Sequence, residues 1–195
     1  MSSRIIKAYT PLKVADFSWV NQSTTTATDN LGGIDLYSPA TSSVHNLHCL
    51  VKSTPSTPYR VITNIKLIPH PAYTAYTAAG MCWRESSSGK IVTLLHFTLG
   101  TGRQAMVIYP IRMTNATTYS GEDATTPGWS QDWMMMEDTG STRNVYISND
   151  GFNWTNIYSK SRTDFCTPDQ IGICTDPYNL SCYATVNSWK VETAG

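Results

Sequence analysis

Between Val145 and Tyr158 the chain alternates apolar and polar residues on both sides of an Asn149-Asp150-Gly151 turn. Val145 and Ile147 alternate with Tyr146 and Ser148, and the pattern resumes after Gly151 with Phe152, Trp154 and Ile157. Asp-Gly between alternating segments marks a tight hairpin, because glycine accepts the positive φ that such a turn demands. Asp150 is placed to bond the turn amides, and Trp154 is expected to pack underneath. Two further strand-like runs close the chain, Gln170–Cys174 and Ala184–Glu192. A chain ending this way is constrained to antiparallel sheet.

Helical periodicity is absent, while ten prolines and twelve glycines punctuate short alternating runs. Strands are expected near 16–20, 33–37, 46–52, 59–68, 79–85 and 90–99, then 104–113, 132–138, 144–148, 154–158, 170–175 and 183–192. The run from Lys90 to Leu99 is apolar on both faces, as a central strand requires. The segments 114–128 and 159–169 read as longer connections, and 101–103 as a hairpin turn. So many short strands point to an all-β fold, a two-sheet antiparallel jelly-roll sandwich. A length of 195 residues suits one such domain, expected over 14–195 behind a short N-terminal arm, 1–13.

Charged residues make up only 14% of the chain, well below the usual quarter, and the formal net charge is +0. There is no basic footprint for nucleic acid and no apolar run long enough for a bilayer, so neither partner is expected. No secretion signal is visible, and the five cysteines, Cys49, Cys82, Cys166, Cys174 and Cys182, are expected as reduced, buried thiols. Cys174 and Cys182 flank a turn, which leaves one disulfide open. The four Asn-x-Ser/Thr sequons, at Asn21, Asn115, Asn153 and Asn179, carry little weight without an export signal.

Several segments together resemble a known family. They are Tyr59–Ile65, the hairpin from Gly80 to Lys90 with its Ser-rich turn, Trp133–Gly140, Tyr146–Trp154, Thr163–Ile173 and Ser188–Val191. The set resembles concanavalin A-like lectin/glucanase jelly-roll domains, in the version found in structural proteins of tailed-bacteriophage particles. The resemblance implies a concanavalin A-like sandwich in a virion protein.

Hydrolases of that family carry Glu-x-Asp-x-x-Glu, and a glycosidase needs two carboxylates facing each other across the bond to be cut. This chain has no such motif. Its acidic pairs, Glu122-Asp123 and Glu137-Asp138, are adjacent, which on a strand sends them to opposite faces; the first pair is read as solvated loop acids. No catalytic residues are therefore expected. His45-x-x-His48-Cys49 is the one hint of a metal site, but His48 and Cys49 also point to opposite faces. Asp29, Asp35 and Asp176 lack the closely repeated spacing of a calcium loop. Neither metal nor cofactor is expected.

Aromatic residues are the stronger lead. Trp19, Tyr37, Trp83, Trp133, Trp154 and Trp189 lie in strand-like runs and are expected mostly in the core. Tyr73, Tyr76, Tyr119, Trp129 and Tyr178 lie in Pro-, Thr- or Gly-rich loops, where rings stack on sugars or anchor a protein partner. Met134-Met135-Met136 places methionine on both faces of one strand.

The main expectation is a non-enzymatic virion protein: a capsid decoration or cement subunit displayed on the particle surface and assembled in the host cytoplasm. It would be a homo-oligomer bound to capsid or tail proteins. The alternative is a carbohydrate-binding, lectin-like module of a tail fibre or adhesin that contacts cell-surface glycans. A glycoside hydrolase ranks third.

Overall fold

A computed structural model describes residues 11–42, 44–68, 76–100, 104–123 and 131–193. A 3-10 turn, Val14–Asp16, precedes β1 (Ser18–Val20), β2 (Thr26–Asp29), β3 (Ile34–Ser38), β4 (His48–Ser53), β5 (Tyr59–Ile68), β6 (Thr77–Arg84) and β7 (Ile91–Gly100). There follow β8 (Gln104–Asn115), β9 (Thr118–Glu122), β10 (Trp133–Asp138), β11 (Thr142–Ser148), β12 (Thr155–Ser161), β13 (Gln170–Asp176) and β14 (Cys182–Thr193). They form two seven-stranded sheets, β1-β4-β13-β6-β7-β8-β9 and β12-β11-β10-β5-β14-β3-β2, and every pairing is antiparallel.

Side chains alternate as the sequence pattern requires. Tyr59, Val61, Thr63, Ile65 and Leu67 of β5 are buried, and the residues between them are not. Facing them across the sandwich are Ala79, Met81 and Trp83 of β6 and Ile171 and Ile173 of β13, in one continuous core. Trp83 is fully buried, so its indole N–H must be paired, and it donates to the Tyr59 hydroxyl at 3.0 Å. Leaving that donor unpaired would cost about 1–3 kcal/mol.

The first sheet is apolar on its other face too. Cys49, Val51, Ala78, Cys82, Ile91, Leu95, Phe97, Ile111, Met113 and Cys174 form a second buried cluster with Leu47, and Ala116 packs against it. This explains why β7 is apolar on both faces: it sits mid-sheet between two cores. A backbone bond joins the two sides of this sheet. Leu47, just before β4, donates its N–H to the Ala116 carbonyl in the β8–β9 turn at 2.8 Å. The sheet is rolled, and the second cluster lies inside the roll. Gly80 and Gly172 line this concave face, where a Cβ would come within 1.9 Å of the Leu94 carbonyl oxygen and 2.0 Å of the Leu50 one. Only glycine permits that approach.

Some expectations fail. The stretch 114–128 is not all connection, because Thr118–Glu122 forms edge strand β9, and Thr26–Asp29 forms a second unexpected edge strand. The 159–169 connection is shorter, since β12 continues to Ser161. Under the 149–151 turn lies Trp133, not Trp154: a Cβ on Gly151 would touch the Trp133 ring at 3.0 Å. Asp150 does cap the turn, accepting from the Phe152 and Asn153 amides, each at 2.8 Å, and these bonds hold its carboxyl well below the usual range. Of the six strand aromatics expected in the core, only Trp83 is fully enclosed; Tyr37 stacks on Tyr183 on the solvent side of the second sheet, centroids 4.6 Å apart. The 101–103 turn and most of the 1–13 arm lie outside the described residues.

Candidate functional site

Loops at one end of the sandwich bring together residues far apart in sequence. His45 stands just before β4, Tyr76 just before β6, Tyr178 in the β13–β14 turn and Tyr119 on β9. The His45 and Tyr119 rings are stacked, with centroids 4.8 Å apart and planes 17° from parallel. Tyr178 meets His45 edge-on at 5.3 Å, and Tyr76 meets Tyr178 edge-on at 5.7 Å. The four rings form one continuous surface across the seam where the rolled sheet meets itself.

Its base is fixed by a buried acid. Asp176, the last residue of β13, is 1% exposed; its carboxylate takes His45 Nδ1 at 2.5 Å and the Asn46 amide at 3.1 Å. Asn46 in turn accepts from Asn21 at 2.7 Å, which ties the loop to the end of β1. Tyr178 adopts a left-handed backbone, φ 43°, and its carbonyl is held by the Thr41 amide at 2.8 Å and hydroxyl at 2.6 Å. The Tyr76 amide donates to Asn179 Oδ1 at 3.1 Å. A non-glycine residue with positive φ held this firmly is a built feature, since strained backbone persists only where its surroundings over-determine it.

Beside the rings lies a pocket of about 330 Å³, lined by Val44, His45, Thr117, Thr118, Tyr119 and Tyr178. That is near the lower end of the size range of small-molecule sites. Tyr76 and Tyr119 are each 42% exposed, so part of each residue is accessible to a ligand. Partial desolvation, with the nearby Glu122 charge, raises the Tyr119 hydroxyl pKa.

Of the five loop aromatics singled out in the sequence, Tyr76, Tyr119 and Tyr178 converge here, and Tyr73 and Trp129 lie outside the described residues. His45, which the sequence suggests only as a metal ligand, completes the cluster. The His45-x-x-His48-Cys49 segment holds no joint site. His48 points into the sandwich beside the Thr25 hydroxyl, its pKa lowered by burial, and Cys49 faces the roll.

The carboxylates are engaged elsewhere. Asp123 is not a solvated loop acid: it is 5% exposed, pairs with Arg112 at 2.5 Å and accepts from the Tyr158 hydroxyl at 2.6 Å. Glu137 and Asp138 do diverge. Asp138 is buried against Arg162 at 2.9 Å, while Glu137 accepts from Asn144 and Tyr146. The turn acids serve protein groups as well: Asp29 takes the Val14 amide and Asp35 takes Asn30 and Thr185. All five cysteines are free, buried thiols. Cys174 and Cys182 do not face each other, because Cys174 lines the roll and Cys182 lies in the inter-sheet core, where burial pushes its thiol up to about 12.

No family model and no curated protein matches the sequence. Solved structures match the fold. A functionally unknown protein from Saccharomyces cerevisiae superposes with a TM-score of 0.70 at 13% identity, over 94% of this chain and 100% of that one. The Ca²⁺-bound exoplasmic/lumenal domain of VIP36 gives 0.62 at 12% identity, covering 92% and 84%. This is the concanavalin A-like lectin/glucanase fold. The carbohydrate-binding module CBM66 from Bacillus subtilis matches at 0.53 and 10% identity, covering 90% of this chain and 95% of that one. The same VIP36 domain has also been solved with Man3GlcNAc bound. A xylan β-1,4-xylosidase from Bacillus halodurans shares the fold over 38% of its own length. At such identities the likeness concerns the fold alone.

Proposed function

We propose that this chain is a non-catalytic, lectin-like carbohydrate-binding module whose site is the His45–Tyr119–Tyr178–Tyr76 ring surface. The observation that carries the reading is the parallel His45–Tyr119 pair, held from below by buried Asp176 and open toward the pocket. Ring faces stack on the apolar C–H faces of sugars. The Thr117 and Thr118 hydroxyls and His45 Nε2, the ring nitrogen left over once Nδ1 serves Asp176, meet sugar hydroxyls. Structures of the same fold that bind glycans, in VIP36 and CBM66, support the class of ligand.

The carboxylate geometry supports binding without turnover. Glu137, Arg60 and Glu192 stand side by side on β10, β5 and β14, and both acids are engaged by neighbouring side chains: Glu192 pairs with Arg60 and Lys190, and Glu137 accepts from Asn144 and Tyr146. Arg60, at 2.6 Å from Glu192, occupies the space between the two acids.

A place on a phage particle is the second reading. It rests on the sequence resemblance, the 14% charged content and the exposed apolar turn tips Leu31 and Phe152, which suit protein contacts. Glycan binding comes first because the ring surface is a built site with a pocket. Screening the full chain on a glycan array, beside Tyr119→Ala, tests it. Binding to a defined glycan class that Tyr119→Ala loses supports the reading, and a blank array contradicts it. Density-gradient fractionation of the native source tests the virion reading: a chain absent from DNA-containing particles rules it out.

A further inference from the structure

The concave face of the rolled sheet carries one cysteine on each of three adjacent strands: Cys49 on β4, Cys174 on β13 and Cys82 on β6. Cys49 and Cys174 are direct cross-strand partners, and Cys82 lies on the next strand, opposite Gly172. The three sulfur atoms lie within 4.8 Å of one another, and each residue is at most 1% exposed. A metal–sulfur distance of about 2.3 Å places three sulfurs about 4 Å apart in a trigonal plane, so this cage is close to ligating size.

The donor set selects the metal. Among the described residues no fourth His, Cys, Asp or Glu joins the group. A structural zinc ion takes four protein ligands, which this cage does not offer. Three soft sulfurs without nitrogen or oxygen favour a thiophilic cation content with three ligands, which is the preference of Cu(I). Val51, Ala78 and Leu95 of the second cluster wall the site and shelter it from water. Arg84, two residues beyond Cys82 on β6 and so on the same side of the strand, brings a positive charge that offsets part of the negative charge of three thiolates.

We propose that Cys49, Cys82 and Cys174 form a trigonal thiolate site for a soft monovalent d10 cation, with Cu(I) as its probe. On binding, each ionising thiol releases its proton to solvent and three S–Cu bonds form, with no change of oxidation state. The competing account is that the cysteines only fill a concave face that has no room for larger side chains. The two differ in whether metal is held.

The test uses the full chain, reduced and anaerobic, in one batch given Cu(I) as its bicinchoninate complex and in a second expressed in copper-supplemented medium. The expected result is one Cu(I) per chain, three sulfurs in its coordination sphere by X-ray absorption, and affinity at least 100-fold weaker in Cys82→Ser. Cys166→Ser, whose thiol sits apart beside Arg143, should bind as the parent does. Copper retained by neither batch overturns the proposal, as does a sphere containing nitrogen or oxygen, or equal loss in Cys166→Ser. Should Cys82→Ser fail to fold, the coordination sphere of the parent chain decides.

Discussion

His45 and Tyr119 stack face to face across the seam of a rolled sheet, one preceding β4 and the other on β9 at the opposite edge. The pairing depends on the roll, because the Leu47–Ala116 backbone bond brings the two segments together. A binding surface made this way exists only when the whole first sheet is folded.

Asp176 should therefore matter twice. Asp176→Ala leaves the Asn46 amide and the His45 ring without their acceptor. We expect a loss of about 1–3 kcal/mol in urea unfolding and glycan affinity about ten-fold weaker. Unchanged affinity would mean that His45 needs no positioning.

The 149–151 turn tests the hairpin. Gly151 has φ 76°, and a Cβ there meets the Trp133 ring at 3.0 Å, so Gly151→Ala combines backbone strain with a side-chain clash. Equilibrium unfolding should show about 1–3 kcal/mol of destabilisation. A neutral outcome would show that the turn relaxes freely.

Acid should weaken the fold before its carboxylates protonate. Burial lowers the pKa of His96 from 6.5 to about 4, so the native state keeps it neutral while the unfolded chain takes up a proton. His96 thus contributes stability that is complete above pH 6.5 and lost as the pH falls toward 4, about 3 kcal/mol across the window. His48 is shifted the same way by burial and adds to the loss. Urea titrations from pH 7.5 to 4 should show the decline in the parent and a flatter profile in His96→Gln. Identical profiles would remove His96 as the cause.

Much of the sandwich is legible in the sequence because burial writes alternation. Tyr59–Ile68 stands out since alternate side chains must face a core, and β7 and β13 since both of their faces do. Strands β2 and β9 escape notice for the converse reason: they lie at sheet edges and none of their residues is buried, so burial leaves no alternating pattern in them. The hairpin at Gly151 is readable, but the ring beneath it is not, because Trp133 reaches the turn from the neighbouring strand. Loop aromatics signal the site, and three of them converge. His45 carries no local mark of its role; its partner Asp176 lies 131 residues away, and only the roll of the sheet makes them neighbours.

The central claim is that a glycan lies against the seam rings. The most direct measurement is an NMR titration of the full chain with the strongest array ligand, following the His45 imidazole and the Tyr76, Tyr119 and Tyr178 rings. The account predicts saturable shifts that move together at these four residues and leave the Tyr37–Tyr183 pair of the second sheet unmoved. Shifts centred on Tyr37 and Tyr183, or none at His45 and Tyr119 at saturating glycan, would contradict it.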